Sequence, residues 1–505
     1  MALPKAVQSS VKTPGIYIAV NLLAGAANAG ASALQALLIA HKFSGGDIVE
    51  DTEKRRCYGA DEVATALNEG TPGHLAAIQM FLAFGNLVLD VIAPTAPSGA
   101  AAEQTFTISG APTDTNQFLF DVAGREIGPV AWAAGEAIAV FRARVVAAVN
   151  SVRPLPATAV DGTAPAEVDI VARGGGTWGN DVTVGVRKLS GAGGLVTADG
   201  ATLAGGATEF NITTALSLVS TTEYAAIGLA TSNADASLAS ASSNAERLML
   251  HIETHKSGLG ALLQYGFVGH TGSVANAKLG AIGRNAVDMT YSYARSAQSL
   301  PAEVMGWDLG DSMRWYQVRA NYNRIGNRAP YLIGSKDPTN DKLSPTESED
   351  LLSNGVSPYN FAPNSDELAL VAPITTHSQD SAGNPDNRCY YASDVWGQSA
   401  IARDLRTALP QEFPNASITE DLPPNADALP PGVVERKDVY SFCVSRVKGW
   451  GRLGVANIPY LDQVIADGSF AVEIDEGDAS QVNIFIPDRI VKPLAKMSAV
   501  FHKTG

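Results

Sequence analysis

Between residues 206 and 365, short apolar runs with strand character alternate with segments of helical spacing, and no other feature of the chain constrains its fold as much. A helix near 209–220, a strand at 224–229, a helix near 239–256, a strand at 262–268 and a helix near 273–284 succeed one another. Strands separated by helices pair in parallel, because each crossing helix carries the chain back to the end of the sheet where it began. The same texture stands earlier: residues 60–84 have helical spacing, and after Gly85 and Asn86 the run 87–92 reads as a strand that ends at Pro94. Residues 33–40 are a buried strand or helix, which periodicity does not separate at that length. Between 96 and 205 the pattern changes. Residues 105–108, 118–122, 168–172 and 182–186 read as short strands set apart by Gly, Pro and Ser, with one helix at about 136–150. The expectation is an α/β core domain split into 23–95 and 206–365 around an inserted β-rich outer domain at 96–205.

The remaining segments flank this core. Ser344, Pro345 and Glu347 form a capping box with proline at the first helical position, opening a short helix through Leu352 that Gly355 terminates. Beyond about 366 come a strand at 368–374, a helix near 394–409 stopped by Pro410, a Pro-rich loop at 423–432, and strands at 440–447, 470–474 and 481–486. They make an α+β C-terminal domain, 366–490. Ile16, Tyr17, Ile18 and Val20 follow Pro14 as a lone β-branched and aromatic run within an N-terminal arm, 1–22. Residues 495–501 are again strand-like within a C-terminal arm, 491–505. The fold class expected is α/β plus β-rich: a split α/β core domain, an inserted β-rich domain, an α+β C-terminal domain, and extended N- and C-terminal strand arms.

The 505 residues carry 51 acidic and 36 basic side chains, a net charge of −15. That excess of carboxylates repels a phosphate backbone and argues against nucleic acid as the main partner. Only 17% of residues are charged while 46% are hydrophobic, a pale surface that suits either extensive subunit contacts or an Ala-rich enzyme. Cys57, Cys389 and Cys443 are too few and too far apart for a disulfide framework, and no CxxC pair is present for zinc or redox chemistry. Neither 13–40 nor 75–93 offers about 20 continuous apolar residues for a membrane span. Lys5 and Lys12 precede a Pro-Gly turn rather than an unbroken apolar run, so no export signal is expected and the chain reads as made in the cytoplasm.

Few motifs point to chemistry. The run from Gly174 to Gly179 satisfies GxGxxG after a strand, but the residues following it alternate as a strand instead of opening a helix. Without a helix N-terminus there is no amide cluster for a pyrophosphate, and a hairpin or bulge is the better reading. No P-loop sequence is present. His251, Glu253 and His255 form H-x-E-x-H on one helix, whereas a metalloprotease needs its Glu directly after the first His; a solvated helix face explains the pattern. No GxSxG elbow exists, and no local sequence brings Ser, His and Asp together. Cys57 follows Lys54, Arg55 and Arg56, cations that would depress a thiol pKa, yet without a paired base a buried or incidental thiol is the simpler reading. That basic run, and the one from Arg446 to Arg452 around Trp450, are small enough to be solvated faces or protein contacts. No catalytic, cofactor-binding or metal-ligating residue is expected.

One set of segments is informative through its order. Val11-Lys12-Thr13-Pro14-Gly15-Ile16-Tyr17-Ile18 opens the chain. Leu155-Pro156-Ala157-Thr158-Ala159 and then Ala172-Arg173-Gly174 through Gly179-Asn180-Asp181 punctuate the insertion, and Leu203-Ala204-Gly205-Gly206-Ala207 lead out of it. Leu351-Leu352-Ser353-Asn354-Gly355-Val356-Ser357 and Val371-Ala372-Pro373-Ile374-Thr375-Thr376 follow. In this order and spacing they resemble the tail sheath proteins of contractile-tailed bacteriophages, especially the Mu-like branch. There the arm commonly reads PGxYxE, a turn reads LLxxGI, and an R-x-I-T-T strand opens the C-terminal domain. This chain departs at Ala19, where an acidic residue is frequent, and at Ala372 or Pro373, in place of the arginine, so no arginine role carries over there.

The resemblance implies a structural virion protein: a protomer that polymerises as a helical stack of hexameric rings around a tail tube and contracts on infection, driving the tube through the host envelope. It implies no catalysis and no cofactor. Its partners would be further copies of itself, the tail tube protein, and baseplate and tail terminator proteins, with no nucleic acid and no direct membrane insertion. Its place would be the virion tail, after assembly in the host cytoplasm. An unpaired strand exposes amides and carbonyls that another chain can satisfy. Ile16, Tyr17, Ile18 and Val20 at one end, and Met497, Val500 and Phe501 at the other, are therefore the expected inter-subunit strands. The helix carrying Arg403 and Arg406 is the expected tube-facing element. The sheath of a phage-derived tailocin or other contractile injection system meets the same demands. An exported adhesin or surface-layer protein would need an export signal, and a hydrolase an assembled triad.

Overall fold

The structure, a computed structural model, describes residues 35–256, 262–282, 285–380, 382–386, 389–423, 429–476, 482–486 and 490–491. The expected arm residues Ile16, Tyr17, Ile18, Val20, Met497, Val500 and Phe501 lie outside the described residues. The chain first lays down β1 (Gln35–Ile39), β2 (Lys54–Cys57), α1 (Ala60–Leu67), α2 (Pro72–Ala83) and β3 (Val88–Ile92). The insertion contributes β4 (Glu103–Pro112), β5 (Asn116–Val122), β6 (Arg125–Trp132), α3 (Ile138–Ser151), β7 (Ala157–Asp161), β8 (Glu167–Ala172), β9 (Val184–Ser190) and β10 (Gly193–Ala198). Strand–helix alternation then resumes with α4 (Thr213–Ser217), β11 (Ala226–Leu229), α5 (Asn244–His255), β12 (Gly266–His270), α6 (Val274–Ala281), β13 (Met289–Ala294) and α7 (Pro301–Val318). It closes with β14 (Arg328–Ala329), α8 (Pro345–Ser353), β15 (Ser357–Phe361) and β16 (Leu368–Leu370).

These segments form a mixed α/β architecture around one nine-stranded sheet in the order β14-β16-β15-β13-β12-β11-β1-β3-β2. The strands from β15 to β3 run parallel, and β2, β14 and β16 pair antiparallel at the edges. Residues of β11, β12 and β13 are buried along their whole length, because helices cover both faces and leave no side for polar alternation. One face carries α1, α2 and α7, whose Val63, Ala76, Met305 and Leu309 share a core with Leu38 and Val91. The other carries α4, α5, α6 and α8, with Ala215, Leu248, Ala277 and Leu351 packed on Leu37 and Ile227. Polar caps start these helices: Thr71, Ser243 and Ser273 accept bonds from the amides of His74, Glu246 and Asn276. The capping box read from Ser344 and Glu347 is present in both directions, at 3.2 and 2.9 Å. α7 lies close against α2 because Gly306 leaves room; a Cβ there would stand 2.4 Å from the Ala76 carbonyl oxygen.

The insertion is a four-stranded sheet, β10-β4-β8-β7, and a three-stranded sheet, β6-β5-β9, closed over an aromatic core by α3. Trp132 stacks on Phe141 at 4.8 Å, and Phe118 lies 5.6 Å from the same ring. After β16 a separate core gathers around α9 (Ala392–Glu412), β17 (Ser417–Thr419), β18 (Val433–Glu435), α10 (Arg436–Arg452), α11 (Ile458–Ala466), β19 (Ala471–Ile474) and β20 (Val482–Phe485). Here the expectation of a strand at 440–447 is corrected: those residues lie inside α10. Val439, Cys443 and Val447 recur every four residues and form its buried stripe, while the half-buried Tyr440, Phe442 and Val444 lend the run a false alternation. The Asp438 carboxylate accepts the Glu435 amide at 3.0 Å and fixes the helix start.

Candidate functional site

In an open parallel sheet the ligand crevice lies beyond the carboxyl ends of the strands, where the chain changes direction across the sheet. Here that point is β1, which has β3 on one side and β11 on the other. The insertion fills the crevice. Its GxGxxG loop does not open a helix; it forms a 3-10 turn, Thr177–Asp181, that places Trp178 against His41 and Phe43 at 5.9 and 5.4 Å. Phe210, on the irregular segment between β10 and α4, closes on His41 at 5.1 Å. The glycines serve this close approach: Gly176 has φ +114, and a Cβ at Gly175 would lie 2.1 Å from the Gly99 carbonyl oxygen.

Polar contacts ring that plug. Thr177 Oγ1 is hydrogen-bonded to Ser232 Oγ at 3.0 Å, and Ser232 Oγ donates to Glu209 Oε1 at 2.5 Å. Asp181 accepts the Asn233 amide at 2.8 Å and the Asn233 side-chain N–H at 2.9 Å. Burial pushes Asp181 up to about 7 and Glu209 up to about 8, and holds His41 down at about 4. The joint therefore favours neutral groups. Nothing in the sequence around Glu209 marks it; its role comes from the crevice that the insertion covers.

The other chemical candidates are dispersed. The His251 and His255 rings lie 4.3 Å apart, tilted by 38°, but His251 is buried, not on a solvated face as expected, and burial lowers it to about 4. The helix packs that face down because Leu248 and Ile252 beside it belong to the core. Among the described residues no three His, Cys, Asp or Glu side chains come together as a metal site. Burial pushes the Cys57 thiol up to about 11, the opposite of activation. The cations before it are engaged: Arg55 pairs with Glu53 at 2.7 Å and Arg56 with Asp90 at 2.8 Å.

A different kind of site stands in the C-terminal region. β19 pairs only with β20 among the described residues, in the register Ala471 to Phe485 through Ile474 to Val482. Alongside β19 runs a groove of about 310 Å³, lined by Ala471, Val472, Glu473, Phe470, Tyr440 and Arg436. An unpaired strand edge beside a half-apolar groove offers backbone hydrogen bonds and side-chain pockets to an extended segment. Sequence reading located the strand at 470–474, but pairing partners are a tertiary property that one strand's residues do not reveal.

No family model and no curated protein matches this sequence. Solved structures do resemble it. A sheath tail protein from Desulfitobacterium hafniense is 11% identical, with 92% of this chain and 91% of that chain covered and a TM-score of 0.41. A sheath tail protein from Listeria innocua is 11% identical, with 90% and 88% covered and a TM-score of 0.39. The sheath complex of an extracellular contractile injection system, PVC, in its contracted state is 9% identical, with 98% and 99% covered and a TM-score of 0.44. The chain is similar to sheath proteins.

Arg403 and Arg406, expected on a tube-facing surface, both hold Glu223. Arg403 Nε meets Glu223 Oε1 at 2.5 Å, and Arg406 pairs with the second carboxylate oxygen. Arg403 is 7% exposed and also donates to the Leu263 carbonyl. The pair ties α9 to the loops that precede β11 and β12. The second basic run is anchored in the same region: Arg446 Nε and Trp450 Nε1 each donate to Asp404 at 3.0 Å.

Proposed function

We infer that this chain is a structural subunit that assembles by exchanging extended segments with further copies of itself: a sheath protomer of a contractile tail or injection device, polymerised helically around an inner tube. The observation that carries the reading is the β19 edge that no strand pairs among the described residues, with its groove, in a chain whose sequence holds a strand-like run at each end. A strand from one copy completes the sheet of the next, and because donor and acceptor surfaces differ, the contact is head-to-tail and propagates as a helix. Contraction then rearranges rigid protomers while the exchanged strands act as joints. The insertion forms the outer domain, and the region around α9, α10 and β19 lies toward the tube. The filled crevice supports a mechanical role, since the place where a doubly wound sheet would take a ligand is occupied by Trp178.

Deleting residues 1–20 from the full chain tests this. The truncated protein is expected to keep its circular dichroism and melting behaviour, yet to sediment as a monomer where the intact chain forms tubes visible in negative stain. A synthetic peptide of residues 11–20 is expected to block assembly of the intact chain. Normal tubes from the truncated protein would overturn the reading.

A further inference from the structure

At the C-terminal end of α7 and just beyond it, Arg314, Val318 and Arg319 are exposed while Trp315 and Tyr322 are half-buried. Trp315 and Tyr322 stack at 4.2 Å with their planes 13° apart. The Arg314 guanidinium lies 4.9 Å from the Trp315 ring, and Arg319 lies 5.9 Å from Tyr322. Neither guanidinium is paired with a carboxylate among the described residues. Many other arginines differ from these two: Arg55, Arg56, Arg295, Arg403, Arg436 and Arg446 each hold a carboxylate. Apolar side chains stand open at the same corner, with Val318 70% exposed and Leu453 61% exposed. The corner is braced from below, since Asn321 Nδ2 donates to the Gly454 and Val491 carbonyls at 3.2 and 3.0 Å.

Tryptophan, tyrosine and arginine around exposed aliphatic groups make up the composition of energetic centres in protein interfaces. A guanidinium stacked on an aromatic face is held in place and still has its N–H donors free for a carboxylate. We propose that the corner formed by Arg314, Trp315, Val318, Arg319 and Tyr322 docks a carboxylate-bearing face of a second copy of this chain. Charge complementarity selects that occupant. Each copy carries 51 acidic against 36 basic residues, so a copy offers carboxylates in excess, and such a surface satisfies two exposed arginines that have no carboxylate partner among the described residues. The corner also adjoins Val491, from which the chain continues into its C-terminal segment, so a copy engaged by that segment comes near this surface. The inference rests on the reading of the chain as a self-assembling subunit and names one of its contacts.

The test uses the full chain in three forms: unaltered, Arg314→Glu with Arg319→Glu, and Val318→Asp. Val318 is mostly solvent-exposed, so its replacement leaves the fold intact and keeps the test decisive if the double variant folds poorly. Light scattering and sedimentation velocity are followed against protein concentration at low and high salt. Both variants are expected to need roughly 30-fold more protein for half-assembly, the size of a lost interface centre. High salt is expected to move the unaltered chain toward the double variant. If the unaltered chain assembles and both variants assemble at its concentration, the docking surface is wrong while the assembly reading stands, whatever else the corner binds. If the unaltered chain stays monomeric throughout, the assembly reading itself fails and the docking surface fails with it.

Discussion

Replacing Glu209 by Gln isolates the electrostatics of the joint between insertion and core. Glu209 Oε1 takes a hydrogen bond from Ser232 at 2.5 Å, whereas Oε2 is buried with no partner among the described residues. Burial, and to a lesser degree the charges of Asp235 and Asp181, overcome the Ser232 bond and push the carboxyl from 4.5 up to about 8. The folded joint thus retains a proton that the unfolded chain releases. Stability from this group is complete below about pH 4.5 and is lost as pH rises toward 8. That gap corresponds to at most about 5 kcal/mol; Glu209 keeps some contact with solvent, which screens its charge, so about 2 kcal/mol is expected. Gln keeps the Ser232 bond and never ionises. The readout is hydrogen exchange of the amides that fasten the joint, Thr177 to the Thr208 carbonyl at 3.0 Å and Ala207 to the Ala100 carbonyl at 3.3 Å. At pH 8.5 they should exchange about 30-fold more slowly in Glu209→Gln than in the unaltered chain, and at pH 5 the two should agree within about twofold. Comparing both proteins at one pH cancels the intrinsic rate. Equal protection at pH 8.5 refutes the reasoning, and so does an equally large gain at pH 5, which would show that ionisation is not its source.

Three further outcomes follow from single contacts. Arg324 is fully buried and donates to Asp308 and Asp311 at 2.7 and 3.1 Å; Arg324→Met leaves two carboxylates in the core, should cost about 3–5 kcal/mol, and is contradicted by an unchanged urea midpoint. Gly306→Ala drives a methyl to 2.4 Å from the Ala76 carbonyl oxygen, should cost about 1–3 kcal/mol by forcing α7 off α2, and is checked by a thermal melt that should fall. Cys57, buried with its thiol pushed up to about 11, should resist a thiol reagent at pH 8 until denaturant is added; rapid labelling of the native chain would contradict that burial.

The parts of the fold that were legible in the sequence are those where one residue pattern answers to one force. Strand–helix alternation across 206–365 needs burial on both faces of a sheet, and the nine-stranded sheet supplies it. The capping box at Ser344 is local chemistry and reads directly. Around α10 the same method fails, because two periods compete over Tyr440, Phe442 and Val444, and only the packing of Val439, Cys443 and Val447 decides between them. The site was less legible. The Gly174–Gly179 run stood out for its spacing, but whether such a loop cradles a ligand or inserts a tryptophan depends on what it meets, and it meets His41 and Phe43 from the distant loop after β1. Arg403 and Arg406 show the same limit: a charged helix face in sequence becomes an internal tie once Glu223 lies opposite.

The filled crevice bears on how such a subunit would work. Joining an inserted domain to a core through two chain crossings leaves a hinge, and the simplest way to remove a hinge is to bury side chains of one part inside the other. Trp178 does this at the crevice a doubly wound sheet leaves at its switch point, beyond the carboxyl ends of β1 and β11. The cost is visible in the same place, as carboxylates at Asp181 and Glu209 that burial keeps reluctant to ionise. A binding protein would gain nothing from blocking its own cleft. A subunit that had to move as one body against its neighbours would gain stiffness from it, and its contacts would then fall at the periphery, along the β19 edge left unpaired among the described residues and at Arg314 and Arg319.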